Sequence, residues 1–258
     1  MSNELIFAEE RQDKIISMLK LQNKLLVNDL CEQFSVSSAT IRNDLNHLEQ
    51  RGLLKRTHGG AISVTKTGFE LTESEKEKIN HDEKSNIARF AATLVENGDT
   101  IALDTGSTIA LLAKELKDKE NVTVITPDIK IASILENFPG ITIVIAGGIL
   151  RKGYFCTTGT ITNDFLSGYN VDKTFIATNS VTPLGELCTA DIEQANVKKK
   201  LIQIGAQIIL MCDSSKFRTH SFAKFGDLSN VDKIVTDKGI DASILKQFEE
   251  NNIDIEVV

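Results

Sequence analysis

Cysteine and proline are scarce in this chain, and no hydrophobic run approaches the roughly eighteen residues that a transmembrane helix requires. Cys31, Cys156, Cys188 and Cys212 lie far apart, with no Cys-x-x-Cys pair and no histidine at ligand spacing. That spacing argues against a disulfide framework and a structural zinc site, and makes a reducing cytoplasm the expected setting. Met1-Ser2-Asn3-Glu4 lacks the basic-then-apolar layout of a secretory signal, so neither membrane insertion nor export is expected. Three prolines and no low-complexity tract argue against long disordered linkers. What is present is ordinary globular material: 258 residues, 41% hydrophobic and 25% charged, enough for one large domain or two unequal ones.

The net charge of −7 by itself argues against a nucleic-acid binder, because contact with phosphate favours a basic surface. The charge is unevenly spread, however. Residues 1–65 hold eight Lys/Arg and eight Asp/Glu, so the rest of the chain carries the whole deficit. Within that neutral stretch Arg51, Lys55 and Arg56 cluster beside His58, with Glu49 the one acidic residue close by. A local basic edge on an acidic protein remains open.

Two patterns divide the chain. Up to about residue 65, three short helices and a hairpin are expected. The first, Arg11 to Leu21, places Ile15, Ile16 and Leu19 on one face. A second, capped by Asn28, buries Leu30, Cys31 and Phe34. After the break at Ser35-Val36-Ser37, a third helix capped by Ser37 or Ser38 runs to about Arg51 and is closed by Gly52. Leu53 to Ile62 then reads as two strands around a Gly59-Gly60 turn. Beyond a joint near residues 62–75, a charged helix from Glu70 to about Asn97 is expected. Ile- and Val-rich runs then alternate with amphipathic segments. The runs are Thr100–Leu103, Val122–Thr126, Ile141–Ala146, Thr174–Ala177, Gln207–Cys212, Lys233–Val235 and Ile253–Val257. The segments between them include Thr108–Lys117, Ile129–Asn137, Ile192–Ile204 and Asp241–Glu250. Such alternation predicts a mostly parallel sheet covered on both faces, and hence domains of residues 1–65 and 66–258.

On a helical wheel, Ile41, Leu45 and Leu48 of the third helix fall on one side and must face the first two helices. Ala39, Asn43, Asn46 and Gln50 point the other way, flanked by Thr40, Arg42 and His47. Amides pair with adenine edges, Arg with guanine, and Ser or Thr with phosphate oxygens. The arrangement suits a helix-turn-helix whose Gly-Gly hairpin is its wing, and it equally suits a plain solvated surface. Ser37, Ser38, Thr40, Arg42, Asn43, Asn46 and His47 are the candidate DNA contacts on this helix. Arg42 and Thr40 are placed in the major groove; Arg56 and His58, on the wing, are placed against backbone or minor groove. Asp44 cannot usefully face phosphate and is expected to be structural, held by a cation such as Arg11.

In the second half, Asp104-Thr105-Gly106-Ser107-Thr108 ends a strand and opens a helix, where freed N–H groups favour an anion such as phosphate. A plain strand-to-helix turn would look the same. Asp-Thr-Gly-Ser is also the signature of aspartic proteases, but those enzymes need two copies and continue in strands, whereas Ile109 to Leu116 is helical in period. Gly147 and Gly148 follow a strand, Lys198 lies on a helical run, and Asp213-Ser214-Ser215-Lys216-Phe217 follows another strand, where open α/β sheets place ligands. The candidate effector residues are therefore Asp104, Thr105, Gly106, Ser107, Thr108, Gly147, Gly148, Lys198, Asp213 and Lys216, sharing one pocket.

Both halves resemble the DeoR family of bacterial transcriptional regulators. Arg11, Ile15 and Leu19, then Ser37, Thr40, Ile41, Arg42, Asn43, Asp44 and Leu45, match its helix-turn-helix pattern, and Gly52 to Ala61 match its wing. Asn43 departs, standing where many members carry a second Arg. The second half matches at Glu83-Lys84, Ile87-Ala88, Leu103 to Thr108, Gly147-Gly148, Gly159, Ala195 to Lys198 and Asp213 to Phe217. Thr126-Pro127-Asp128 and Gln194 depart from the family's usual Thr-Asn-Ser and Glu, at positions expected to border the pocket. The resemblance implies an α/β fold class: an N-terminal winged helix-turn-helix followed by a ribose-phosphate-isomerase/CoA-transferase-like α/β sensor domain. It implies a cytoplasmic homo-oligomer that binds double-stranded operator DNA, most often as a repressor. A phosphorylated sugar effector would modulate that binding, with no cofactor, no metal and no membrane partner. The alternative is a sugar-phosphate isomerase or transferase-like enzyme, in which Asp104, Glu186, Asp191 and Lys216 would supply acid–base groups.

Overall fold

The computed structural model describes residues 7–22, 24–51, 53–63, 67, 70–250 and 253–258. The chain divides into two compact units, Met1–Lys66 and Thr67–Val258. Among the described residues no helix is long and apolar enough to cross a membrane.

The first unit runs α1 (Ala8–Gln22), β1 (Lys24–Leu26), α2 (Val27–Phe34), α3 (Ser38–Gln50), β2 (Leu54–Thr57) and β3 (Gly60–Ser63). Its core joins Ile15, Ile16 and Leu19 of α1 to Leu30 and Phe34 of α2 and to Ile41, Leu45 and Leu48 of α3, all buried as the wheel requires. Ser37 caps α3 by accepting the Thr40 N–H at 3.1 Å. Asp44 sits among these apolar side chains, where burial of a lone carboxylate would cost several kcal/mol, on the order of a full ion desolvation. It is compensated from α1: Arg11 Nε donates to Asp44 Oδ2 at 2.6 Å and Gln12 Nε2 to Oδ1 at 3.0 Å. The expected Arg11–Asp44 pair is therefore present.

Three local expectations are corrected. Asn28 does not cap α2, which begins at Val27 with no side-chain cap; the Val27 N–H is satisfied instead by the Gly59 carbonyl at 2.9 Å. The hairpin turn is centred on His58-Gly59, because Gly60 already belongs to β3. The third correction explains the second: the wing is a three-stranded antiparallel sheet in the order β1-β3-β2, not a lone hairpin. A Cβ on Gly60 would lie 1.8 Å from the Leu25 carbonyl oxygen, so glycine is what lets β1 pair closely there. Gly52, expected to close α3, lies outside the described residues.

The second unit begins with α4 (Glu73–Glu77), α5 (His81–Thr93), β4 (Thr100–Leu103), α6 (Ser107–Glu115), β5 (Val122–Thr126), α7 (Ile129–Leu135) and β6 (Ile141–Ile145). A hairpin of β7 (Ile149–Arg151) and β8 (Cys156–Thr158) follows, then α8 (Thr160–Leu166) and β9 (Val171–Ala177). The chain continues through β10 (Ser180–Val181), β11 (Glu186–Thr189), α9 (Ile192–Ile204), β12 (Gly205–Met211), β13 (Ala223–Asp227), β14 (Lys233–Thr236), α10 (Ala242–Glu250) and β15 (Ile255–Val257). Among the described residues a seven-stranded parallel sheet runs β15-β14-β12-β9-β4-β5-β6. Alternate residues of its central strands feed opposite cores. Ile101 and Leu103 pack with α5, α6 and α7, whereas Ala102 packs with α8 and α9. Ile209 and Met211 join the first core, and Ile208 and Leu210 a third one with Ala195 of α9 and Phe248 of α10. Double coverage is why these strands are apolar throughout.

The helix expected from Glu70 to Asn97 is two helices. Asn80 breaks it with φ +51°, and its amide donates to Asp213 Oδ1 at 2.8 Å, a tertiary bond that outweighs the local helical preference.

Replacing Asp44 by Ala should lower the stability of the first unit by about 3 kcal/mol, the cost of breaking a buried ion pair from one side. Urea denaturation followed by circular dichroism measures this; a loss below about 1 kcal/mol, the range of exposed pairs, would make the buried bridge energetically idle.

Candidate functional site

The residues singled out by sequence fall into one group in each unit. On α3, Ala39, Arg42, Asn43, His47 and Gln50 are exposed and Thr40 and Asn46 are half-buried, with Ser37 and Ser38 exposed at its start. Protein partners hold some of these groups. Arg56 reaches from β2 to the Asn46 side-chain oxygen, and its backbone N–H donates to Glu49 at 2.8 Å. His47 Nδ1 meets Gln12 Oε1 at 3.0 Å, and Gln12 in turn holds Asp44. The wing is thus tied to the far face of α3, and α1 fixes its rotation. Arg42 and Asn43 stand out from this scaffold, and His58 is exposed in the turn of the wing.

In the second unit, strand order reverses between β4 and β9: β5 and β6 add on one side, and β9, β12, β14 and β15 on the other. Chains leaving the carboxyl ends of β4 and β9 therefore diverge and open a cleft, the position where open α/β sheets bind ligands. The cleft has a cavity volume of about 50 Å³ and opens to solvent. The loop Thr105, Gly106, Ser107 and Thr108 lines it, together with Lys198 and Lys216. Asp104, Asp213, Gly147 and Gly148 do not line it. Asp104 accepts Lys198 Nζ in a fully buried ion pair and the Ala177 N–H at 2.9 Å, while Lys198 also donates to the Ala177 carbonyl at 2.9 Å. Lys198 is therefore committed to binding α9 to the tips of β4 and β9, although it borders the cleft. Gly147 and Gly148 are exposed beyond β6, where a Cβ on Gly148 would fall 2.0 Å from Thr162 Oγ1, so this glycine serves the close packing of α8.

Several lining residues were not selected from sequence: Glu73, Lys76, Lys84, Tyr154, Ala177, Thr178 and Asn179. Lys84 lay in a matching block, and its buried position on α5 was the missing information. Gln194 lines the cleft, as expected, whereas Asp128 is one bond removed, accepting the Thr105 hydroxyl at 2.7 Å. The lysines dominate the electrostatics. Burial and the neighbouring Lys216 push the Lys84 ammonium down to about 8, against the pull of Asp213 and Glu73. Its Nζ donates to the carbonyls of Lys76 at 2.6 Å and Ile79 at 2.7 Å. Burial raises the Glu73 carboxyl against the attraction of Lys76, and its Oε1 finds no hydrogen-bond partner among the described residues. Asp213 anchors the loop after β12: despite burial, Lys216, Ser215, Lys84 and Asn80 hold its carboxyl at about 2. The acid–base set of the enzyme alternative does not assemble. Asp104 is paired with Lys198, Glu186 pairs with Lys224 at 3.3 Å outside the cleft lining, and Asp191 caps α9 by accepting the Gln194 N–H at 2.8 Å.

Comparison with known proteins bears on both groups. A family model described as the DeoR-like helix-turn-helix domain matches residues 11–67, and one described as the DeoR C terminal sensor domain matches residues 79–238. The HTH-type transcriptional regulator YulB of Bacillus subtilis is 36% identical over 249 residues, covering 96% of this chain and 96% of that protein. The glycerol-3-phosphate regulon repressor of Escherichia coli is 29% identical over 248 residues, covering 96% of this chain and 98% of that protein. Among solved structures, ribose 5-phosphate isomerase A of Methanocaldococcus jannaschii aligns with a TM-score of 0.40 and 23% identity, over 54% of this chain and 55% of that one.

Because the Asp213 carboxyl is depressed in the folded state, its contribution to stability is complete above the ordinary carboxylate pKa and is lost as pH falls toward about 2. Asp213→Asn should therefore cost about 2 kcal/mol near neutral pH, with the gap to the parent protein closing on acidification below about pH 4. Denaturation midpoints across that range measure it; a pH-independent gap would remove the charge from the explanation.

Proposed function

The chain belongs to the DeoR family of DNA-binding transcriptional regulators, and from that premise we propose that it works in the cytoplasm as a homo-oligomeric repressor of sugar-metabolism genes, controlled by a phosphorylated sugar. The observation that carries the effector assignment is the meeting of the first turn of α6 with Lys84 and Lys216 in one cleft. The N–H groups of a helix's first turn have no partners within that helix and its dipole favours an anion, while the buried Lys84 ammonium and the half-buried Lys216 that repels it gain from a compensating dianion. A phosphate belongs at this end. Glu73 Oε1, a buried acceptor without a partner among the described residues, suits a hydroxyl donated by the rest of the ligand. Phosphate and hydroxyl on one small molecule describe a sugar or polyol phosphate, a chemistry consistent with the relative named for the glycerol-3-phosphate regulon.

On the DNA side, α3 enters the major groove. Arg42 and Asn43 read base edges, Thr40 supports them, and Ser37, Ser38 and the wing residue His58 meet the backbone. Asn46, His47 and Arg56 act chiefly by holding the wing and α1 against α3, since their polar groups already bond within the protein. Paired half-sites on an operator call for at least two copies of the chain. The effector shifts operator affinity by no more than its differential affinity for the two arrangements of the oligomer.

A thermal-shift screen of sugar phosphates tests the assignment: a true effector at a hundredfold excess over its Kd raises apparent stability by about 2.7 kcal/mol. Its affinity should hold up to pH 8 and then fall by up to about tenfold per pH unit as Lys84 loses its proton; a flat profile would remove Lys84 from the site. Arg42→Ala should weaken specific operator binding by about 1–3 kcal/mol in a mobility-shift titration, and unchanged affinity would take Arg42 out of the groove.

A further inference from the structure

One buried carboxylate beside the cleft is left unexplained by ligand binding. Glu70 stands a few residues beyond β3 in sequence, at the start of the second unit, and its side chain is 3% exposed. Its Oε1 accepts Lys76 Nζ at 2.5 Å and Asn179 Nδ2 at 3.1 Å, its Oε2 accepts Arg151 Nη1 at 2.7 Å, and its backbone carbonyl accepts the Tyr154 hydroxyl at 3.1 Å. Lys76, Asn179 and Tyr154 all line the cleft, and Arg151 also donates to Gln194, another lining residue, at 2.9 Å. Glu70, at the start of the second unit, is thus fastened to side chains that line the cleft.

We propose that Glu70 is a positioning residue that competes with the anionic effector for Lys76, so that effector binding loosens the anchor at the start of the second unit. This rests on the cleft being the anion site argued above. The physical basis is charge neutralisation. Two cations share one buried carboxylate, and a phosphate entering the cleft offers Lys76 a second, doubly charged partner. Whatever attraction Lys76 gives to the phosphate it withdraws from Glu70. By reciprocity, weakening the Glu70 contacts strengthens anion binding by the same factor that anion binding weakens the anchor. The burial that opposes the Glu70 charge is outweighed by Lys76 and Arg151, so the carboxylate depends on both cations.

The test uses inorganic phosphate and glycerol 3-phosphate as probes on the full-length protein. Hydrogen exchange of residues 70–77 should quicken several-fold when either probe binds, while α9 and the central strands stay protected. Glu70→Gln should raise the same exchange without a probe, show little further rise with one, and bind phosphate several-fold more tightly in a thermal-shift titration. A merely structural carboxylate would predict weaker binding in the variant. Probe binding to the parent protein with unchanged exchange at residues 70–77 overturns the competition while leaving the cleft assignment intact, and this arm stands even if the variant folds poorly. No stabilisation by either probe, in parent or variant, overturns the cleft assignment and the competition together.

Discussion

The second unit depends on a single buried ion pair, Lys198 with Asp104, placed where the order of the parallel sheet reverses. Asp104 follows β4, Ala177 ends β9, and Lys198 projects from α9; the carboxylate accepts the Ala177 N–H and the ammonium donates to its carbonyl. Two strands that must part company just beyond this point are held together by three charge-assisted bonds in a dry environment, where such bonds are strong and an unpaired member is costly. This arrangement also gives Lys198, which borders the cleft, two partners within the protein.

The first unit solves a related problem by the same means. A recognition helix must show a polar face to solvent while being fixed in rotation, and α3 is fixed by three aliphatic residues beneath it and by Asp44, gripped from α1 by Arg11 and Gln12. Gln12 continues to His47, and Asn46 continues to Arg56 on the wing. Polar groups at the edge of the helix serve as bracing, which leaves Arg42 and Asn43 as the side chains standing clear.

The cleft and Glu70, at the start of the second unit, share side chains. Lys76, Asn179 and Tyr154 face the ligand space and hold Glu70, and Arg151 links Glu70 to Gln194.

Periodicity alone determined a good deal. The three helices of the first unit, the apolar side of α3 and the parallel strands were legible because alternation at 3.6 and 2 residues reflects which face is buried, and burying apolar surface is the dominant driving force of folding. β4 and β5 and α9 match their expected limits residue for residue. The loop from Thr105 to Thr108 was legible as a strand-to-helix turn at the carboxyl end of β4, and it lines the cleft. What only the tertiary structure decided were relations between distant segments. β1 joins the wing because Gly60 admits it; Asn80 breaks a helix because Asp213 receives it; Glu73, Lys76 and Lys84 reach the cleft because α4 and α5 fold back over the ends of β4 and β9. The same holds for Asp104 and Lys198, where sequence suggests two ligand-binding groups and the fold spends them on each other. Local pattern records which side of an element avoids water; it does not record which charged group finds which partner, since that depends on distances set after the chain has folded.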